Sequence, residues 1–176
     1  MFVIDKSKKL VDLLAREGKL KQEVADSWRN LSNFEVEQKL KSEKMLSAED
    51  IARTYAQLYN LPYITLQDRQ IDKNILNVIP QEMAQRFHVI AYELTKNVAQ
   101  PNTPYTQTLR LAVAEPDKLS SDATTVLTSL EQKKNLKIQL AVTKPEDLAH
   151  ILSQYQKETV VAPIAIKKDE VKSEKP

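Results

Sequence analysis

The chain offers few side chains that could do chemistry, and their spacing argues against most uses. His88 and His150 are the only imidazoles. No Glu-x-x-His or His-x-x-x-His surrounds either one, so neither has a metal-ligating companion at helical spacing. His88 is expected at a strand edge or half-buried, and His150 on the polar side of the last helix. Glu49, Asp50 and Asp117 could be posed as acid–base carboxylates. Their positions just ahead of apolar runs favour helix capping instead. Ser120-Ser121-Asp122 offers hydroxyls with no nearby histidine to act as base. Lys6, Lys8 and Lys9 form a basic cluster that reads as a solvated helix start sooner than as a contact for phosphate or acidic lipid.

Two counts exclude whole classes of mechanism. There is no cysteine, so disulfides, thiolate zinc sites, iron–sulfur clusters and cysteine nucleophiles are out. There is a single glycine, Gly18. A phosphate cradle needs glycines because the backbone must approach the phosphate closely in strained dihedrals. The P-loop pattern takes two glycines and the dinucleotide pattern three, so neither can be written here. The residues therefore nominate no catalytic, cofactor-binding or metal-binding set, and the expectation is a chain that is not an enzyme.

The bulk composition is that of a folded domain. Of 176 residues, 41% are apolar and 28% charged, with 26 basic against 24 acidic side chains and a net charge of +2. The charges nearly cancel along the chain and the pI is near 8.6. Nucleic-acid binders carry a basic stripe instead, so no nucleic acid is expected as partner. No apolar run approaches the roughly 18 residues of a membrane helix. The first residues acquire charge too early for a signal peptide. A cytoplasmic protein without membrane insertion is expected.

The elements that must position these residues follow from periodicity. Leu10, Leu13 and Leu14, then Val24, Trp28 and Leu31, recur at helical spacing, with Gly18 between them where a helix would end. Ser32-Asn33 caps a third helix to about Lys41, with Phe34, Val36 and Leu40 inward. Ser47-Ala48-Glu49-Asp50 has the form of a capping box. It opens a helix through Ile51, Ala52, Tyr55, Leu58 and Tyr59, which Pro62 stops. A faint internal echo places Leu10, Leu14 and Leu20 on Val36, Leu40 and Leu46, 26 residues on. Any two helix–turn–helix units would give a similar echo.

From Pro62 the pattern changes. Tyr63–Leu66 is extended, Asp72 caps a short helix, and Pro80 begins another that ends near Phe87. Val89–Leu94 and Leu109–Ala114 read as an antiparallel strand pair joined by a polar loop at 95–107. A helix bearing Leu119, Ala123, Val126, Leu127 and Leu130 follows the turn at Glu115-Pro116-Asp117. Leu136–Val142 alternates as a third strand. Thr143 caps a last helix that buries Leu148, Ile151, Leu152 and Tyr155. The fold class expected is α+β: a helical N-terminal segment, then a small, mostly antiparallel ββαβα sheet with helices on one face. The divisions expected are 1–44, 45–157 and a disordered linker or tail at 158–176, rich in Lys and Glu.

One ordered set of segments goes beyond pattern. Ser47–Arg53 leading to Leu61-Pro62-Tyr63, then Ile79-Pro80, the strand at Val89, Leu109–Pro116, Leu136–Val142 and the helix closing at Tyr155 resemble a known family over roughly residues 45–157. It is the N-terminal domain of type II secretion and type IV pilus assembly ATPases. The resemblance implies an α+β module that docks a motor on the inner-membrane platform protein, with a separate or fused assembly ATPase as second partner. Some relatives bind cyclic di-GMP through repeated helical motifs rich in Arg-Leu-Gly, with a second glycine and a closing glutamine. Here those places hold Lys9-Leu10-Val11, Gly18 and Ser32, and Lys44 stands where the second repeat would have its glycine. A docking or regulatory role is therefore expected, with cyclic di-GMP sensing as the alternative that the glycine-poor motifs disfavour. Glu115-Pro116-Asp117 also inverts the family's Asp-Pro order.

Overall fold

A computed structural model describes residues 7–96 and 107–156. Lys6, most of the loop expected at 95–107 and the tail expected at 158–176 lie outside the described residues. The first four helices are α1 (Leu10–Arg16), α2 (Gln22–Trp28), α3 (Asn33–Ser42) and α4 (Ala48–Tyr59). Capping boxes open two of them: Ser32 with Glu35 on α3, and Ser47 with Asp50 on α4. In each, the serine hydroxyl accepts an orphan N–H while the acid accepts from the serine backbone.

The 26-residue echo is a structural repeat. After α1, the N–H groups of Glu17, Gly18 and Lys19 donate to the carbonyls of Leu13, Ala15 and Leu14 at 3.0, 3.0 and 2.9 Å. After α3, those of Glu43, Lys44 and Met45 donate to Lys39, Lys41 and Leu40 at 2.9, 3.1 and 2.9 Å. Every member of the second set lies 26 positions after its counterpart in the first, and so do the starts of α2 and α4. The turns share a left-handed residue as well: φ is +69° at Gly18 and +53° at Lys44. That conformation suits glycine and costs a side-chain-bearing residue about 1 kcal/mol. Lys44→Gly is therefore expected to raise the urea midpoint by about 1 kcal/mol equivalent at unchanged slope. Gly18→Ala should lower stability by a similar amount, although a Cβ there would meet no atom within 4 Å.

One inward assignment is corrected. Phe34 is 43% exposed. The buried stripe of α3 runs Asn33, Val36, Glu37, Leu40, at i, i+3, i+4 and i+7, and position 34 falls off it. The buried residues of α4, including Ile51, Tyr55 and Leu58, pack in one core with Leu10, Leu14, Val36 and Leu40. Residue 44 thus lies in the turn joining two helices of a common cluster.

The second core surrounds a three-stranded sheet of order β1-β2-β3: β1 (Val89–Lys96), β2 (Gln107–Val113) and β3 (Leu136–Val142). β1 pairs antiparallel with β2 as expected, but β3 pairs parallel with β2. The sheet is mixed, because the chain crosses over through α7 (Ser121–Lys134) before returning, the connection parallel strands require. Leu109 and Leu111 of β2 and Leu136, Ile138 and Leu140 of β3 lie in this core. The other face carries Glu93, Arg110 and Gln139, with the Arg110 guanidinium 3.0 Å from Glu93 and 3.4 Å from Gln139. A bulge between Ala91 and Glu93 leaves Tyr92 unpaired and restores Leu94 to the apolar side opposite Leu109.

Short helices α5 (Lys73–Leu76) and α6 (Gln81–Phe87) precede the sheet, and α8 (Pro145–Gln156) follows it. Asp72 caps α5 as expected. Thr143 does not cap α8: the Leu148 N–H donates to Lys144 at 3.1 Å, which puts Lys144 at the capping position. The two cores meet at β3. Ile64 donates to the Val142 carbonyl, and the Val142 N–H to Pro62, both at 2.8 Å. Val142 itself packs into the helical core. Among the described residues no helix is long and apolar enough to cross a membrane.

Candidate functional site

Lys8 and Lys9 of the basic cluster are spent on helix ends. Lys8 Nζ donates to the Leu58 carbonyl at 2.9 Å and Lys9 Nζ to the Leu31 carbonyl at 3.3 Å. Both acceptors sit at or just beyond the end of a helix, where unpaired carbonyls and the negative end of the dipole favour a cation. These lysines wall an open crevice of about 490 Å³ between α1 and the end of α4, with Asp12, Arg16 and Gln57 also lining it. Its rim is charged and its apolar wall is formed by Leu13 and Leu58.

Where the helical core meets the sheet, three carboxylates approach one buried phenol. Glu37 is 1% exposed. It accepts from the Tyr55 hydroxyl at 3.2 Å and is paired with Lys41 through its other oxygen. Burial pushes the Tyr55 phenol far above its usual range, with the charges of Asp117, Glu37 and Glu115 adding to the effect. Asp117 lies in the 3-10 turn Pro116–Lys118 that follows β2. Its Oδ1 is buried without a hydrogen-bond partner. Desolvation, with Glu115 and Glu37 adding to it, raises the Asp117 carboxyl above its ordinary 3.8.

That rise fixes the sign of a pH effect. A carboxyl that holds its proton more tightly when folded penalises the folded state above its folded pKa, and the penalty fades as pH falls toward 3.8. Asp117→Asn is expected to raise stability at pH 7 over wild type, with the difference shrinking through the acidic range above 3.8. Urea denaturation at pH 7 and at pH 4.5 reads both, and a variant less stable than wild type at neutral pH contradicts the assignment.

The remaining candidates take structural posts. Asp50 closes the capping box of α4, and Glu49 pairs with Arg53 one turn on, at 2.7 Å. Ser120 caps α7 by accepting from Ala123 at 3.0 Å. His88 is the exposed left-handed residue that ends α6, with φ +50°, and not a half-buried strand residue. Histidine tolerates that conformation better than most side chains. His150 is exposed on α8 as expected. Among the described residues no group of three or more His, Asp or Glu could hold a metal ion.

The family model of the MshEN domain matches residues 59–162. The chain belongs to the MshEN domain family. Two solved structures share the fold. One is of MshE with cdg, with a TM-score of 0.62 and 21% identity over 84% of this chain and 99% of that one. The other is the N-terminal domain of XpsE, at 0.53 and 16% identity over 88% and 98%. The family resemblance and the α+β class both stand. A search of the curated proteins finds no match.

Sequence reasoning on this MshEN domain missed the Glu37–Tyr55 pair. A signal for it existed: Glu37 follows Val36 and precedes Leu40 at spacings that put a charge on the inward stripe, and an inward charge needs a partner. Nothing local marked Asp117, whose burial depends on α3 arriving from the other unit.

Proposed function

We propose that this MshEN domain is a non-catalytic docking and regulatory module of a type II secretion or type IV pilus assembly motor. It binds a protein of the inner-membrane platform on the cytoplasmic side, and the assembly ATPase it serves is its second partner. One observation carries this reading. Glu49, Asp50, Ser120, Lys8 and Lys9, which the sequence offers for chemistry, are engaged in caps, an ion pair and helix-end carbonyls, which favours surface contact as the module's role. Membership of the family and the fold shared with the N-terminal domain of XpsE support it. A calorimetric titration against the cytoplasmic region of the cognate platform protein is expected to show saturable binding. Absence of any interaction at tens of micromolar overturns the reading.

A second reading, sensing of a cyclic dinucleotide, is favoured by the duplicated helix–turn–helix and by the MshE structure that holds cdg. The expected signature is a thermal shift with cyclic di-GMP, since ligand at 100 times its dissociation constant adds about 2.7 kcal/mol. No shift at millimolar ligand removes it. The lysine amino groups already committed to Leu58 and Leu31, and Lys44 in place of a glycine, weigh on the side of the docking reading.

A further inference from the structure

We infer that the turn at residues 115–118 is a proton-operated clasp between the helical core and the sheet, closing on α3 when Asp117 carries a proton and slackening when Asp117 is ionised. This coupling is a property of the fold and does not depend on what the domain docks. The turn belongs to the sheet: it follows β2, and Leu119 at its end lies in the sheet's core. It reaches across to α3. The Lys118 ammonium lies 4.0 Å from the centroid of the Phe34 ring, and Asp117 is desolvated beside Asn33 and Glu37. Asn33 and Glu37 are themselves buried. Next to them the seam is nearly dry. The cavity between Glu37, Lys41 and Tyr55 on the helical side and Ala114 and Pro145 on the sheet side is about 10 Å³, at the lower limit for one water. Charges in such a seam are poorly screened.

The groups that face Asp117 come from three elements. On its own turn stand Glu115 and Lys118, and Lys118 pairs with Glu115. On α3 stand Glu37 and Lys41, and Lys41 pairs with Glu37. On α4 the Tyr55 hydroxyl donates to Glu37. Both cations and the phenol thus serve the other two carboxylates. Asn33 gives Asp117 one hydrogen bond, but the Asp117 Oδ1 is buried without a partner. An ionised Asp117 therefore brings an orphan oxygen and a third negative charge into the seam, and both oppose closure. A protonated Asp117 removes the charge and adds the O–H donor that the cluster lacks. Among the described residues no three acids are grouped so as to hold a metal ion, so a proton is the species that relieves the repulsion.

The direction follows from the geometry. Desolvation and the charges of Glu115 and Glu37 raise the Asp117 carboxyl above 3.8. The closed turn holds the proton more tightly than an opened one. Closure is therefore favoured as pH falls and is lost as pH rises through the closed-state value.

The test follows amide hydrogen exchange of the full chain by NMR at pH 5 and pH 7, with each rate divided by its intrinsic rate at that pH. The Lys118 and Leu119 amides donate within the turn, to Glu115 and Pro116, and report on its closure. Their protection is expected to be about threefold or more higher at pH 5 than at pH 7, while that of the Leu111 and Ala112 amides in the central strand is unchanged. Asp117→Asn, which keeps the shape and carries no charge, should show the high protection at both pH values. Glu115→Gln, which removes one facing charge, should shrink the pH response. Glu23→Gln, exposed in the first turn of α2, is the control and should respond as wild type does. A merely structural Asp117 would shift protection equally at both pH values. Wild-type protection of the turn that does not change with pH overturns the clasp, and so does a full response in Asp117→Asn. Should melting curves show that Asp117→Asn does not fold as wild type does, Glu115→Gln decides: an undiminished response in it overturns the clasp.

Discussion

Leu14→Ala and Leu40→Ala are expected to destabilise the domain by nearly equal amounts, about 3 kcal/mol each. The two leucines are 0% and 1% exposed in the same core, and they occupy matching places in the two copies of the turn. The Leu14 carbonyl accepts from Lys19, and the Leu40 carbonyl accepts from Met45, both at 2.9 Å. Truncation removes the same methyl groups from each and leaves a cavity that the short helices around it can close only in part. For a chain of this size the loss corresponds to a fall in melting temperature of roughly 6–12 °C. Urea denaturation with both variants and the double variant measures it. Because the two side chains share a cluster, the double variant should fall short of additivity. A cost below about 1 kcal/mol for Leu40→Ala beside a large one for Leu14→Ala would mean that the second copy keeps the turn without the core role.

How much of this was legible depended on how local each signal is. A capping box is written within four residues, and Ser47-Ala48-Glu49-Asp50 gave the start of α4 directly. Strict alternation gave β3 with the bounds the structure shows, Leu136–Val142. Alternation carries no direction, however, so it could not tell that β3 runs parallel to β2. Nor could it locate the bulge after Ala91, because Val89–Tyr92 are all buried and hide the parity change. The repeat was visible as an echo of leucines, but its proof lies in backbone hydrogen bonds and in the positive φ at Lys44, a residue type that does not announce the left-handed region. The candidate site suffered most. Glu37 and Tyr55 meet across 18 positions, and the half-buried Asp117 carboxyl is desolvated beside Asn33 and Glu37 of a helix some eighty residues earlier in the chain. Such burial is a property of the assembled layers, not of any window of sequence.

The second large effect is expected at Asp147, in the first turn of α8. Its side chain is 2% exposed and ties together three parts of the chain. Oδ2 accepts from the Leu66 N–H at 2.7 Å and from the Thr65 and Thr143 hydroxyls at 3.2 and 3.5 Å. Oδ1 lies 3.5 Å from the Lys144 ammonium. Leu66 is 1% exposed, so Asp147→Ala strands a buried N–H, a cost of about 1–3 kcal/mol by itself. Loss of the acceptor for the Thr65 and Thr143 hydroxyls brings the expected total to about 3 kcal/mol. Asp147→Asn keeps an acceptor for the Leu66 N–H and should cost about half as much. The consequence reaches past stability, because residues 62–66 form the strap that joins the helical core to β3 through Pro62 and Ile64. Amide hydrogen exchange is the decisive readout. In Asp147→Ala, protection of the Leu66 and Ile64 amides should fall while that of the Leu111 and Ala112 amides in the central strand holds. The helical unit would then be freed from the sheet without unfolding it. If the Leu66 amide keeps its protection in Asp147→Ala, the strap is held by β3 alone and Asp147 has no part in coupling the two cores.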